Sequence, residues 1–142
     1  MKLLPFAFLA IVTSLANAQQ PESPYGHWSG QTQYQAMIGT ASDPSAHVVV
    51  DLDLNIDHRG KVTGASPENG CRLLGVAAPG LATHIVTLDV TLTGCIYARF
   101  NRVYKGQLSV LGKDGHGSLG LTAIDITPPR SATFTLSATL QR

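Results

Sequence analysis

Apolar and polar residues alternate with a period of two along most of the chain after residue 25. The clearest case is the segment 47–57. Its apolar face consists of Val48, Val50, Leu52, Leu54 and Ile56, and its other face of Val49, Asp51, Asp53, Asn55 and Asp57. A pleated strand places such residues on opposite faces, whereas a helix would scatter them around its circumference. The alternation therefore predicts β-strands, and no amphipathic helix competes with them in the sequence.

Turn sequences separate the alternating segments. Lys113-Asp114-Gly115 is typical of a tight hairpin, because Asp-Gly readily adopts positive φ angles. The pattern predicts about eight strands, near residues 26–38, 46–57, 60–65, 71–77, 83–94, 96–111, 116–126 and 131–141. Short consecutive strands favour an all-β, antiparallel up-and-down barrel, because pairing of the first strand with the last leaves no exposed edge. A β-sandwich of two sheets is the alternative.

The first eighteen residues have the features of a secretory signal peptide. Lys2 precedes an apolar stretch from Leu3 to Leu15, and Ala16-Asn17-Ala18 has the small residues that signal peptidase requires. We expect cleavage after Ala18, which leaves residues 19–142 as one barrel domain that is periplasmic or secreted. No later apolar stretch approaches the roughly 20 residues that a membrane-spanning helix needs.

Cys71 and Cys95 are the only cysteines in the sequence. In an oxidising compartment an isolated pair is typical of one structural disulfide. A redox-active pair would more often have C-x-x-C spacing, and a metal site would need more ligands nearby. The sequence therefore predicts a Cys71–Cys95 disulfide.

The charge balance gives no electrostatic reason to expect nucleic acid or an anionic membrane as a partner. The full chain has ten Lys plus Arg and nine Asp plus Glu, and loss of Lys2 with the signal peptide leaves nine of each sign. The basic residues are scattered, and no run of like charge forms a phosphate-binding patch. We therefore expect no nucleic-acid partner.

Metal and catalytic motifs are missing from the sequence. The acidic segment Asp51–Asp57 has Ile56 and Val62 where an EF-hand needs Gly and Glu. The five histidines lack the i, i+4 spacing of a helical zinc site. Ser118 has His116, not glycine, two positions before it, so it does not fit the Gly-x-Ser-x-Gly pattern of a nucleophile elbow. We therefore expect no bound metal, no cofactor and no enzymatic activity.

Aromatic and guanidinium groups are concentrated in the segment 94–104. As part of a strand, this segment would place Tyr97, Arg99 and Asn101 on one face and Phe100, Arg102 and Tyr104 on the other. Because Tyr and Arg dominate interface hot spots, the composition indicates a recognition surface anchored by the disulfide. The alternative interpretation is a strand end with stacked side chains. The predicted surface consists of Tyr97, Arg99, Asn101, Arg102 and Tyr104.

Gly26-His27-Trp28, at the start of the first predicted strand, resembles the Gly-x-Trp signature of the calycin barrels, which include lipocalins, avidins and related bacterial protease inhibitors. The resemblance implies that Gly26 and Trp28 are structural, with the tryptophan packed across one end of the barrel. It also implies binding rather than catalysis.

Three functions are compatible with these features. The first is an exported, monomeric, non-enzymatic binding module that holds a small apolar ligand inside the barrel. The second is a secreted inhibitor or protein-interaction factor for a protease or cell-wall hydrolase, which would use residues 19–25 or 39–45 to contact an envelope or extracellular protein. The third is an eight-stranded outer-membrane barrel, because a polar lumen and an apolar exterior produce the same alternation.

Overall fold

The computed structural model describes residues 22–112 and 114–142, and the predicted signal peptide with its cleavage site after Ala18 lies outside these residues. Nine strands account for most of the described chain. They are β1 (Gly26–Ile38), β2 (Ala41–Ser42), β3 (Val48–Ile56), β4 (Lys61–Ser66), β5 (Cys71–Pro79), β6 (Ile85–Thr93), β7 (Val103–Leu111), β8 (His116–Asp125) and β9 (Ala132–Gln141). Three short 3-10 turns, at Pro44–Ala46, Pro67–Asn69 and Ala98–Phe100, interrupt the connections.

The strands form a closed antiparallel barrel. Eight strands, β1 and β3 to β9, pair in chain order, and β1 also pairs with β9. The two-residue strand β2 pairs only with the end of β1. The predicted barrel, its closure by the first and last strands and its single disulfide are therefore confirmed.

Alternate residues of each strand point into the barrel, as the period of two predicts. On β3 the burial pattern alternates strictly after Val48, with the aliphatic residues inside and the aspartates outside. The interior is packed with the chain's own side chains, which form a single hydrophobic cluster. Its largest fully buried members are Trp28, Tyr34, Tyr104, Phe100 and Phe134.

One end of the barrel is built around Trp28 and is called the Trp28 end. The indole Nε1–H of Trp28 donates a hydrogen bond to the carbonyl oxygen of Pro24 at 2.8 Å. The guanidinium of Arg142 lies 4.4 Å from the Trp28 ring centroid, within the range of a cation–π contact. Gly26 has a φ of 119°, a conformation that favours glycine. Trp28 therefore lies fully buried beneath the segment by which the described chain enters the barrel.

The opposite end, called the disulfide end, is formed by loops 39–47, 67–70, 94–102 and 126–131. Here the structure differs from the predicted strand at 96–111, because β7 begins only at Val103. Gly94, with a φ of 74°, ends the extended run of β6, and Ala98–Phe100 forms a 3-10 turn that buries Phe100. The prediction that residues 97–104 alternate between two strand faces is therefore wrong.

The described residues include no helix that is long and apolar enough to span a membrane.

The hydroxyl of Thr32 is a buried polar group without a partner. Thr32 lies on β1 and is fully buried, and its Oγ1 has no hydrogen-bond partner among the described residues. Since an unsatisfied buried hydroxyl costs about 1–3 kcal/mol, Thr32→Val should raise the free energy of unfolding by about 1 kcal/mol in urea titrations. Thr32→Ser keeps the hydroxyl and loses a methyl group, so it should unfold more easily than wild type. A lower unfolding free energy for Thr32→Val would contradict this account.

Candidate functional site

The disulfide end contains a cavity of about 250 Å³. It lies between the start of β3 and the loops 39–47, 67–70 and 94–102. Its lining residues are Ser45, Ala46, Val48, Val50, Glu68, Asn69, Cys95, Ile96, Tyr97 and Phe100. An apolar wall with a few polar groups is the usual construction of a binding pocket, although pockets for drug-sized ligands are larger, at about 300–1,000 Å³. The cavity therefore fits a group of side-chain size.

The disulfide fixes one wall of this cavity. Cys71 begins β5, Cys95 follows β6, and the two form a disulfide with both residues buried. The amide of Ile96 donates a hydrogen bond to the carbonyl oxygen of Asn69 at 2.9 Å. The covalent bond and the hydrogen bond together hold loop 94–102 against loop 67–70.

Phe100 closes the barrel interior beneath loop 94–102. Its ring packs edge-on against Tyr34 at 5.4 Å and against Phe134 at 5.8 Å between centroids. The Tyr104 hydroxyl donates to the Phe100 carbonyl oxygen at 3.1 Å, and burial raises the pKa of Tyr104. The Tyr34 hydroxyl bonds Ser66 Oγ at 2.7 Å. Phe100 therefore belongs to the hydrophobic core and also lines the cavity.

Tyr97 joins loop 94–102 to loop 39–47. Its hydroxyl donates to Asp43 Oδ2 at 2.7 Å. Asp43 Oδ1 accepts from the Ser45 hydroxyl at 2.6 Å and from the Ser45 amide at 3.0 Å. The Ser45 side-chain hydrogen bond, followed by that of Tyr97, lowers the pKa of Asp43. The ionised carboxylate therefore stabilises the contact between the two loops.

Two arginines cover Phe134 on another side of the same end. The guanidinium carbons of Arg102 and Arg99 lie 4.3 Å and 5.5 Å from the Phe134 ring centroid. Arg102 Nη1 also lies 3.3 Å from Asp125 Oδ2. Hydrogen bonds from Thr127, with a smaller contribution from Arg102, lower the pKa of Asp125 to about 2. Arg102 therefore has a structural partner, whereas Arg99 is exposed.

The structure brings most of the predicted recognition residues together in loop 94–102. Tyr97 is half-buried, Arg99 and Asn101 are exposed, and Arg102 is partly buried. Asn101 Oδ1 accepts from the Cys95 amide at 2.9 Å, so this side chain shapes the loop. Tyr104 is fully buried and does not belong to an exposed surface.

Sequence reasoning missed several residues of this site. Ile96 has 79% of its surface exposed, which the sequence pattern does not predict for an apolar residue. Asp43 and Glu68 belong to the site only because the barrel brings three loops to one end. Nothing local in the sequence marks them as neighbours of Tyr97.

Beside the cavity the barrel wall is completed by the 3-10 turn Pro67–Asn69, which lies against β3. β3 pairs with β1 over Val48–Ile56, but it pairs with β4 only over Asp53–Ile56. The first residues of β3, Val48–Leu52, therefore have a strand neighbour on one side only.

Loss of the disulfide should destabilise the protein. The two cysteines are 24 residues apart, and closing a loop of this length stabilises a fold by about 3 kcal/mol in the chain-entropy model. The double variant Cys71→Ser, Cys95→Ser should therefore lose about this much unfolding free energy. Thermal melting of wild type in reductant provides the check, and a melting temperature unchanged by reduction would contradict the expectation.

The Tyr97–Asp43 contact should make stability depend on acid pH. Because the pKa of Asp43 lies below its usual 3.8 in the folded protein, its contribution is present above about pH 4 and is lost as the pH falls through the folded-state pKa. Tyr97→Phe should raise this pKa toward 3.8 in an NMR titration and reduce the loss of stability in acid. Tyr25→Phe, in the segment before β1, is the matched control and should leave the titration of Asp43 unchanged.

No family model, curated protein or solved structure matches this chain. The resemblance of Gly26-His27-Trp28 to the calycin barrels therefore stays a prediction.

Proposed function

We propose that this protein is an exported, non-enzymatic factor that binds another protein through its disulfide end. The proposal rests on the location of the cavity at the disulfide end of the barrel. The barrel interior is packed with aromatic and aliphatic side chains, whereas the cavity lies at one end of this core, against loop 94–102. Export is supported by the signal-peptide pattern of residues 1–18, and a disulfide is stable in the oxidising compartments to which such signals lead.

The packed interior favours protein binding over carriage of a small apolar ligand. A small barrel either encloses a ligand or is filled by its own side chains. Here Trp28, Tyr34, Phe100, Tyr104 and Phe134 are fully buried in the interior cluster. A ligand inside the barrel would have to displace these rings, at a cost of several kcal/mol for each large side chain.

The outward faces favour a barrel surrounded by water over the membrane-embedded alternative. Charged side chains point outward on several strands, and the apolar faces point inward. Examples of the outward residues are Asp51, Asp53, Lys61, Asp89 and Lys105. In an outer-membrane barrel these positions would face lipid, where charged residues are destabilising.

Loop 94–102 has the properties of a recognition element. Ile96 and Tyr97 line the cavity, Arg99 is exposed in the same loop, and Tyr and Arg are enriched at hot spots. The disulfide, the Ile96–Asn69 hydrogen bond and the Tyr97–Asp43 hydrogen bond fix its conformation before binding. A loop that is already ordered loses little conformational entropy in a complex. A protease or cell-wall hydrolase is the kind of target that the calycin resemblance implies.

Substitution at the two ends of the barrel tests this proposal. Residues 19–142 are immobilised, exposed to envelope extract and culture medium, and the captured protein is identified and its affinity measured. Ile96→Ser at the disulfide end should weaken binding about tenfold, the effect expected for a hot-spot residue. Leu81→Ser is the matched control, because Leu81 is an exposed apolar residue in the loop between β5 and β6 at the Trp28 end.

Two outcomes would contradict the proposal. One is an equal loss of affinity in Ile96→Ser and Leu81→Ser, which would remove the disulfide end from the interface. The other is a small molecule that stays bound in native mass spectrometry and leaves on denaturation, with no protein captured.

A further inference from the structure

We infer that a groove on the outer wall of the barrel, called the outer groove, binds an uncharged oligosaccharide. It lies across β8, β9 and β1 and reaches β3. Among the described residues, it shares no lining residue with the cavity of the disulfide end. The inference therefore goes beyond the proposed function: a glycan holds the barrel by its wall, and the disulfide end stays available to another protein.

The register of the strands brings the groove residues together. Thr139 on β9 lies opposite Ser118 on β8, and Ser137 on β9 lies opposite Gln33 on β1. Gln33 in turn lies opposite Val49 on β3. Residues opposite one another on neighbouring strands point to the same side of a sheet, so these side chains all face outward. The outer groove has a volume of about 540 Å³, within the range of about 300–1,000 Å³ that ligand pockets have.

Gly120 leaves the side of the groove next to Ser137 without a side chain. It is paired with Ser137 on β9 and with Gln107 on β7, in an outward row of the sheet. A Cβ at Gly120 would have no neighbouring atom within 4 Å among the described residues. The φ of Gly120 is not positive, so its backbone is one that other residues adopt. The space over Ser137 is therefore open because of the residue type at position 120.

The polar side chains of the outer groove are all uncharged. They are Gln31, Gln33, Ser118, Ser137 and Thr139. Amide and hydroxyl side chains can donate and also accept hydrogen bonds, as the hydroxyl groups of a sugar do. Within the described part of the chain, no charged side chain lines the groove to balance a charge on a ligand. This set of side chains therefore matches an uncharged ligand that carries many hydroxyl groups.

Most of these polar groups have no partner within the protein. The Gln33 amide nitrogen lies 3.0 Å from His47 Nε2, a contact that ties this side chain to the wall. Within residues 22–112 and 114–142, the side chains of Gln31, Ser118, Ser137 and Thr139 form no hydrogen bond to another protein group. Water satisfies them in the free protein, and sugar hydroxyls can replace that water with equivalent hydrogen bonds.

Apolar side chains form the floor of the outer groove. Leu119 and Ala138 belong to the inward rows of β8 and β9 and reach the groove between the outward residues, and Val49 is half exposed at its border. The C–H groups of a sugar ring are apolar, so an aliphatic floor beneath amides and hydroxyls fits both kinds of surface on the ring. Strand faces of other small barrels bind oligosaccharides in this way.

Asp51 favours an uncharged glycan over an acidic one. It lies on β3 directly opposite Gln31, and its side chain is exposed. Within the described residues, its carboxylate has no ion-pair partner. A carboxylate or sulfate group on a sugar that contacts Gln31 would lie close to this negative charge and would be repelled.

The probe for this inference is chitotetraose, an uncharged tetramer of N-acetylglucosamine, titrated to millimolar concentration into 15N-labelled residues 19–142. The backbone amide signals of Gln31, Ser118 and Ser137 should shift and reach saturation, whereas that of Ile96 at the disulfide end should not move. Tetragalacturonate has the same number of sugar rings but carries carboxylates. It should bind about fivefold more weakly, because the Asp51 carboxylate repels it.

Two variants test the groove from the side of the protein, and Thr91 provides both controls. Gly120→Phe places a ring over the groove without a clash and should abolish the saturable shifts, whereas Thr91→Phe adds the same ring at an exposed position on β6, outside the groove. Thr139→Val removes one hydroxyl and keeps the shape, so it should weaken chitotetraose about fivefold, the effect of one neutral hydrogen bond. Thr91→Val should leave this affinity unchanged.

The outcomes separate this inference from the proposed function. Chitotetraose that causes no saturable shift, or that binds wild type and Gly120→Phe equally, overturns the inference and leaves protein binding at the disulfide end untouched. If Thr139→Val weakens capture of the partner protein as much as Ile96→Ser does, the groove belongs to the protein interface and the inference is again overturned. If Ile96→Ser captures the partner as wild type does while Gly120→Phe still abolishes sugar binding, the proposed function fails and the glycan site stands.

Discussion

The pairing of β1 with β9 is the constraint on which the rest of the structure depends. β1 is thirteen residues long because it serves two neighbours, β3 along its first part and β9 along its later part. This offset turns a meander of hairpins into a closed barrel with no long edge strand. Closure also fixes the interior volume, so the inward residues of all strands must fill one shared space.

The interior is packed with the protein's own side chains, so the candidate site lies at one end of the barrel. Trp28 closes one end of the interior and Phe100 the other, and the cavity of the disulfide end lies among the loops. The Trp28 end is built from short turns, whereas the disulfide end has three longer loops, 39–47, 94–102 and 126–131, beside the short loop 67–70. Loop 94–102 contributes in two directions, since Phe100 points into the core and Ile96 points to solvent. The same segment therefore stabilises the barrel and shapes the candidate site.

Most of the fold could be predicted because its signals are local. The period of two in residues 48–56 fixes both faces of β3, and a pair of cysteines allows only one intramolecular disulfide. The sequence pattern wrongly predicts a strand in loop 94–102, because Phe100, Arg102 and Tyr104 have the spacing of residues on one face of a strand. A 3-10 turn that buries one aromatic ring has almost no sequence signature of its own.

The early end of the β3–β4 ladder could not be predicted for a different reason. Residues 66–70 lie between two predicted strands, but the effect of Pro67 depends on which residue of β3 lies opposite it. That register is a property of two strands and the hairpin between them. The candidate site is therefore non-local in two respects, the meeting of separate loops and the early end of a ladder.

The pairing of β1 with β9 has a consequence for the speed of folding. It joins strands from the two ends of the described chain, for example Tyr34 with Leu136. Contacts between residues that are far apart in sequence form slowly, because chain entropy is lost before the contact stabilises the structure. The hairpins from β3 to β9 can form from neighbouring segments, whereas barrel closure needs both ends of the domain together. The search for this one pairing is therefore expected to limit the folding rate.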